Sequence, residues 1–244
     1  EDGPSGVPDV IINQTPSNVT NDRSNYAGTA GDVNADGYDD FIVGSDQDDE
    51  AGGDAGKVDV YYGSESGIDL DAGIVAADPD WTFTGESAGD HLGEAVGSAG
   101  DVNGDGFDDV IVGAPERDCE RDSSKSDCGQ AYIFLGSAGG LEALPDWTAQ
   151  GVEENDHFGF DVGTAGDVNG DGYMDVIVGA PRDPGDSSGA GSVYVYHGAA
   201  EGLSGGYSAD WEADGERDDD HFGWSVDTAG DVNGDSHDDL VVGA

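Results

Sequence analysis

The chain has 244 residues, with 55 acidic against 7 basic side chains and a net charge of −48. Nucleic acid and anionic membrane surfaces would repel so negative a chain, which excludes both as partners. Only 35% of residues are hydrophobic, and no apolar stretch reaches the about 18 residues a membrane-spanning helix needs.

Residues 1–24 form an extended segment punctuated by Pro4, Pro8 and Pro16, and Val10-Ile11-Ile12 is its one candidate strand. Asn13 and Asn18 each open an N-glycosylation acceptor pattern. The chain begins on Glu1 with no signal-like segment, as a mature secreted chain or a trimmed piece of one would.

From residue 25 onward the chain repeats. A strand of small residues (Tyr26 to Ala30, later Phe160 to Ala165) leads into an acidic loop, best seen in Asp101-Val102-Asn103-Gly104-Asp105-Gly106-Phe107-Asp108-Asp109. Alternate spacing lets a curled loop aim Asp101, Asn103, Asp105 and Asp109 at one point, and the Phe107 carbonyl adds a fifth oxygen. Gly106 supplies the left-handed backbone of such a turn. An all-oxygen, carboxylate-rich shell suits Ca²⁺, which takes about 6–8 ligands, better than Mg²⁺ with its rigid octahedron.

The same set recurs as Asp32, Asn34, Asp36, Tyr38 (carbonyl) and Asp40, then as Asp167, Asn169, Asp171, Tyr173 (carbonyl) and Asp175. A fourth copy holds Asp231, Asn233, Asp235, His237 (carbonyl) and Asp239. The first aspartates lie 69, 66 and 64 residues apart. Up to four Ca²⁺ ions are therefore expected. An EF-hand loop opens the same way but needs a Glu at its twelfth position. Here those positions are Val43, Val112, Val178 and Val242, inside β-branched runs, so that reading fails.

Each loop runs straight into a second strand, such as Val110-Ile111-Val112 or Val176-Ile177-Val178, whose continuous apolar character predicts burial on both faces. A variable polar stretch comes next (Asp46–Ala55, Glu116–Asp127, Arg182–Gly189). The third strand lies between glycines seven residues apart: Gly56 and Gly63, Gly129 and Gly136, Gly191 and Gly198. A fourth begins at Trp81, Trp147 and Trp211, which share the repeat's period and are read as core. Four strands per about 65 residues is the arithmetic of a β-propeller blade. The fold class is therefore all-β, with blades at 25–90, 91–156 and 157–220 and the first half of a fourth at 221–244. Residues 1–24 are a candidate closing strand for that half blade, and an unclosed blade would expose strand edges open to self-assembly.

Blades hand over at His91-Leu92-Gly93, His157-Phe158-Gly159 and His221-Phe222-Gly223. Equivalent positions around a ring do not converge, so these histidines are read as structural or surface residues. Cys119 and Cys128 flank a polar stretch and are read as a disulfide of an oxidising compartment.

The Phe-Gly handover, the DxNxDGxxD loop and Gly113-Ala114-Pro115 or Gly179-Ala180-Pro181 after the second strand resemble FG-GAP repeats. Such repeats form the β-propeller head of integrin α subunits and related extracellular proteins. The resemblance implies Ca²⁺ in the loops joining strands 1 and 2, and binding rather than catalysis. Three departures stand out: the first repeat has no Phe-Gly opening and carries Gly44-Ser45-Asp46 in place of Gly-Ala-Pro, and Ser236 replaces the loop glycine in the last. A non-glycine residue in the left-handed region costs about 1 kcal/mol, so the fourth loop is expected to bind most weakly. Acid-rich usage with two lysines, Lys57 and Lys125, resembles proteins of extreme halophiles; an acidic, calcium-rich matrix protein is the alternative.

The expected function is a calcium-stabilised, secreted or cell-surface module for adhesion, binding or assembly. Its protein or glycan ligand would meet the face carrying the loops between strands 2 and 3 and between strands 4 and 1. A carbohydrate-binding lectin is the alternative, and a polysaccharide-active propeller enzyme is a further one. No nucleophile–base pattern and no constellation that breaks the repeat is visible, so the chain is read as non-enzymatic.

Overall fold

The computed structural model describes residues 26–65, 78–120, 122–183, 189–203, 206 and 208–244. The first extended segment, with Asn13, Asn18 and Val10-Ile11-Ile12, lies outside them. Three four-stranded antiparallel sheets and one two-stranded sheet succeed one another in chain order. The first is β1 (Tyr26–Gly31), β2 (Asp40–Ser45), β3 (Lys57–Tyr61) and β4 (Trp81–Thr84). The second is β5 (Val96–Gly100), β6 (Asp109–Ala114), β7 (Gln130–Phe134) and β8 (Trp147–Gln150). The third is β9 (Asp161–Gly166), β10 (Asp175–Ala180), β11 (Ser192–Tyr196) and β12 (Trp211–Asp214), and the last pair is β13 (Ser225–Gly230) and β14 (Asp239–Gly243). Within each sheet the strands lie in sequence order, the meander of a propeller blade. All three tryptophans open a fourth strand, and β9 starts one residue after the Phe160 expected, a normal boundary difference.

The acidic loops sit at a slip in the ladder. Register shifts between Thr29 and Gly31, Ser98 and Gly100, and Thr228 and Gly230, and the hydroxyl of Thr29, Ser98, Thr164 or Thr228 accepts the N–H of the glycine two residues on. Those glycines (Gly31, Gly100, Gly166, Gly230) have φ between 65° and 79°. A bulge of this kind turns the strand end and re-aims the acidic loop attached to it.

The core lies between successive sheets. Ile42, Val58 and Val60 of the first pack with Val110, Val112 and Phe134 of the second. Ile111 and Ile133 on the other face of the second pack with Val176 and Val178 of the third. Ile177 and Val193 then meet Val226 of the fourth. β6 and β10 are buried at every residue, as their unbroken apolar runs predict, whereas β14 is only half-buried. Two fourth-strand tryptophans reach the third strand of the next blade: Trp81 lies edge-on to Phe134, and Trp147 to Tyr196, both at 4.8 Å. Trp211 has no such neighbour among the described residues and is exposed, as are Val232 and Val241.

At the handovers, glycine sets the spacing. Gly93, Gly159 and Gly223 adopt φ of 86–90°, and each donates its N–H to Gly113, Gly179 or Gly243 of its own blade's second strand. The handover carbonyl of one blade lies directly against the Gly44, Gly113 or Gly179 Cα of the blade before it, where a side chain would collide with backbone.

Candidate functional site

Each acidic loop is wound by its own side chains. In the second, the Asp105 N–H donates to Asp101 Oδ1 and Asn103 Oδ1, both at 3.0 Å, while Gly106 N–H donates to Asp101 Oδ2 and Phe107 N–H to Asp105 Oδ1. The first loop repeats this with Asp32, Asn34, Asp36, Gly37 and Tyr38. The third does so with Asp167, Asn169, Asp171, Gly172 and Tyr173. In the fourth, Ser236 holds φ at 73° and still donates to Asp231 Oδ2. The left-handed position expected at this residue is thus kept without glycine.

The last aspartate of each loop is a strut. Asp109 accepts Val102 N–H on one oxygen and Gly136 N–H on the other, tying the loop to the end of the third strand. Asp40 does the same with Val33 and Gly63, and Asp175 with Val168 and Gly198. Asp239 accepts Val232 N–H alike. Burial pushes the Asp109 carboxyl up to about 7, outweighing the two N–H bonds, and the charges of Asp105 and Asp101 add to the rise. Asp40 is raised to about 6 for the same reasons.

The donor chemistry of these loops fits a hard cation. Each places three carboxylates and an amide oxygen around one turn, with a fully buried carboxylate at Asp109 and Asp175 and no lysine or arginine among its nine residues. The carboxylates face shared N–H donors rather than one another. Among the described residues, the group of three acidic or histidine ligand atoms that come within 4.8 Å of each other is Asp46, His91 and Glu94, not a loop triad.

Neighbouring loops are also linked. Asp108 inserts against Gly31, accepts Asp32 N–H at 2.8 Å and donates its own N–H to the Asp32 carbonyl. Asp238 repeats this on Asp167, and Met174 takes the same place against Gly100. Asp39, the first blade's equivalent, is exposed.

At the opposite end of the blades, Cys119 and Cys128 form the disulfide expected, with Cα atoms 5.3 Å apart. The three handover histidines all adopt φ of 53–57° and do not converge, yet their surroundings differ. His157 Nε2 lies 3.0 Å from Arg182 Nη1; arginine can only donate, so the ring is neutral. Burial, then the Arg182 charge, lowers its pKa to about 4. His91 instead sits between Asp46 Oδ2 at 3.3 Å and Glu116 Oε2 at 3.5 Å, and its hydrogen bond to Asp46 raises its pKa. Glu94 is raised to about 7 by burial and by the Asp46 charge. Asp46, His91 and Glu94 form a grouping that the repeat pattern did not lead one to expect. The signal was present in the Gly44-Ser45-Asp46 departure, but joining residues 45 positions apart required the fold.

A family model described as "FG-GAP repeat" matches residues 24–61, 93–134, 158–196 and 222–244. Integrin alpha-PS2 of Drosophila melanogaster is 35% identical over 173 residues, 67% of this chain and 12% of that protein. Integrin alpha-5 of Xenopus laevis is 28% identical over 237 residues, 95% of this chain and 21% of that protein. The crystal structure of rhamnogalacturonan lyase YesW aligns with a TM-score of 0.49 and 17% identity, over 91% of this chain and 41% of that one. The chain thus spans about a fifth or less of these two integrin relatives' length. No helix among the described residues is long and apolar enough to cross a membrane.

Proposed function

Because this chain belongs to the FG-GAP repeat family, we propose that it is a calcium-stabilised recognition module that acts outside the cell and binds a protein ligand without turning it over. The observation that carries this reading is the contrast between the two ends of the blades. At one end, four acidic loops share one hydrogen-bond frame, down to the strut aspartate. At the other, the segments after β2, β6 and β10 differ in sequence from blade to blade. A fixed frame with variable loops is how a scaffold carries recognition.

In each loop the cation would be held by the aspartates and asparagine already named, with the carbonyl of Tyr38, Phe107, Tyr173 or His237. When bound, Ca²⁺ supplies a fixed positive charge against three carboxylates. Asp109 would then stay ionised in a place where burial alone favours the neutral acid. The disulfide supports an oxidising compartment. The net charge, of which four ions would offset only eight, supports a high-salt setting. The Asn13 and Asn18 acceptor patterns remain part of this extracellular proposal.

Beads coated with the chain, passed over surfaces of immobilised extracellular matrix proteins in millimolar Ca²⁺, test the reading. It expects retention on at least one surface, release by chelator, and loss of retention when Glu116–Asp127 is replaced by a short glycine-serine turn. Retention on none of them, together with release of products from an acidic polysaccharide, would overturn it in favour of an enzyme.

A further inference from the structure

The three blade-to-blade junctions can be compared position by position. After the second strand, the third residue of the Gly-Ala-Pro motif is Pro115 and Pro181 in two repeats and Asp46 in the first. After the handover glycine, the next residue is Phe160 and Trp224 at two junctions and Glu94 at the first. Phe160 and Trp224 pack against one another, with centroids 4.6 Å apart and planes tilted by 48°. The first junction therefore replaces a proline and an aromatic, on either side of an unchanged left-handed histidine, with two carboxylates.

These substitutions meet in space. Ligand atoms of Asp46, His91 and Glu94 all lie within 4.8 Å of one another, close enough that small side-chain rotations would bring all three onto a single cation at about 2.0–2.2 Å. Asp46 is 3% exposed, and while its Oδ2 faces His91, its buried Oδ1 has no hydrogen-bond partner among the described residues. A buried carboxylate oxygen left bare is costly, and a carboxylate that sits beside a second one needs a positive charge to offset both. Arg182, in contact with His157 at the next junction, reaches Glu94 with its charge but makes no hydrogen bond to Asp46, and its counterpart beside His91 is the acidic Glu116.

We propose that Asp46, His91 and Glu94 bind one divalent cation of the zinc class at the junction of the first two blades. Imidazole with carboxylates is a donor set for zinc-type ions, whereas Ca²⁺ wants six or more oxygens. With the Nδ1 side of His91 turned to the ion beside Asp46, Nε2–H is left facing Glu116 Oε2, 3.5 Å away. This carboxylate–histidine arrangement fixes the tautomer and strengthens the ligand, making Glu116 a positioning residue. Three protein ligands leave a fourth coordination position open, on the end of the blades opposite the calcium loops. The inference does not depend on what those loops bind.

The test uses the whole chain with millimolar Ca²⁺ present throughout, titrated with Zn²⁺ by calorimetry and with Co²⁺ by visible absorption. One site per chain is expected, weakened about tenfold or more by Asp46→Asn or His91→Gln, less by Glu116→Gln, and not at all by His197→Ala. No binding to the Ca²⁺-loaded chain, or binding that survives His91→Gln, overturns the proposal. A variant that does not fold leaves the wild-type measurement decisive. Among the five histidines, the His91 ring resonances are expected to be shifted by Co²⁺ first, and a shift centred on His197, His221 or His237 instead would refute the site.

Discussion

Gly113 shows how much of this architecture hangs on single atoms. Its Cα touches the carbonyl of Gly159 in the next blade, and a methyl group there would collide with backbone that cannot swing aside. Gly113→Ala is expected to destabilise by about 1–3 kcal/mol or more. Gly163→Ala, where a Cβ meets nothing within 4 Å, should be near neutral. Paired urea melts of the two variants check this, and equal losses would contradict the packing described. His157 supplies a second test. Its folded pKa is lowered to about 4 by burial and Arg182, so the unfolded chain takes up the proton first. The stability it contributes is present above its ordinary pKa of 6.5 and is lost as pH falls from there toward 4. Asp156, raised to about 7 by burial, acts with the opposite sign in an overlapping window, so a bulk melt would mix the two. NMR of the ring is the direct check: His157 should stay neutral until about pH 4, and titration near 6.5 would contradict its buried contact with Arg182.

The loop between β6 and β7 is closed by the disulfide nine residues apart in sequence. Loop-closure entropy of that length corresponds to about 2.5 kcal/mol. Reduction in Ca²⁺-containing buffer should lower the melting temperature by about 5–10 °C for a domain of this size. An unchanged melt would mean that the loop is held by its other contacts, such as Gln150 on Asp118 and Glu120. The strands themselves were legible in the sequence because glycines mark their ends and tryptophans their starts. The apolar runs of β6 and β10 announced burial on both faces. What the sequence did not disclose was the bulge before each loop, since Thr29, Ser98, Thr164 and Thr228 read as ordinary strand residues until their hydroxyls are seen on the neighbouring glycines. The strut role of Asp40, Asp109 and Asp175 was hidden for the same reason. They read as ligands alone, while their partners Gly63, Gly136 and Gly198 lie 23 to 27 residues away.

Across all the blades, self-repulsion of the negative charge works against the compact state. With 55 acidic and 7 basic residues, ion pairs among the described residues cluster at a few cations, such as Arg117 with Glu86, Asp90 and Glu120. Screening shrinks from about 10 Å at 0.1 M salt to about 3 Å at 1 M. Stability at fixed Ca²⁺ is therefore expected to rise steeply from dilute buffer to molar NaCl, and a flat melting temperature across that range would contradict the high-salt proposal. We propose that the four acidic loops are calcium sites on which the fold depends. This is tested most directly by melting a demonstrably metal-free sample at constant ionic strength while Ca²⁺ is added back. Four bound ions are expected, the Ser236 loop filling last, with a gain of about 2.7 kcal/mol per site at a hundredfold excess over Kd. A metal-free protein that melts at the same temperature with and without Ca²⁺ would contradict it, and the aspartates would then be ordinary acidic turns wound on their own backbone.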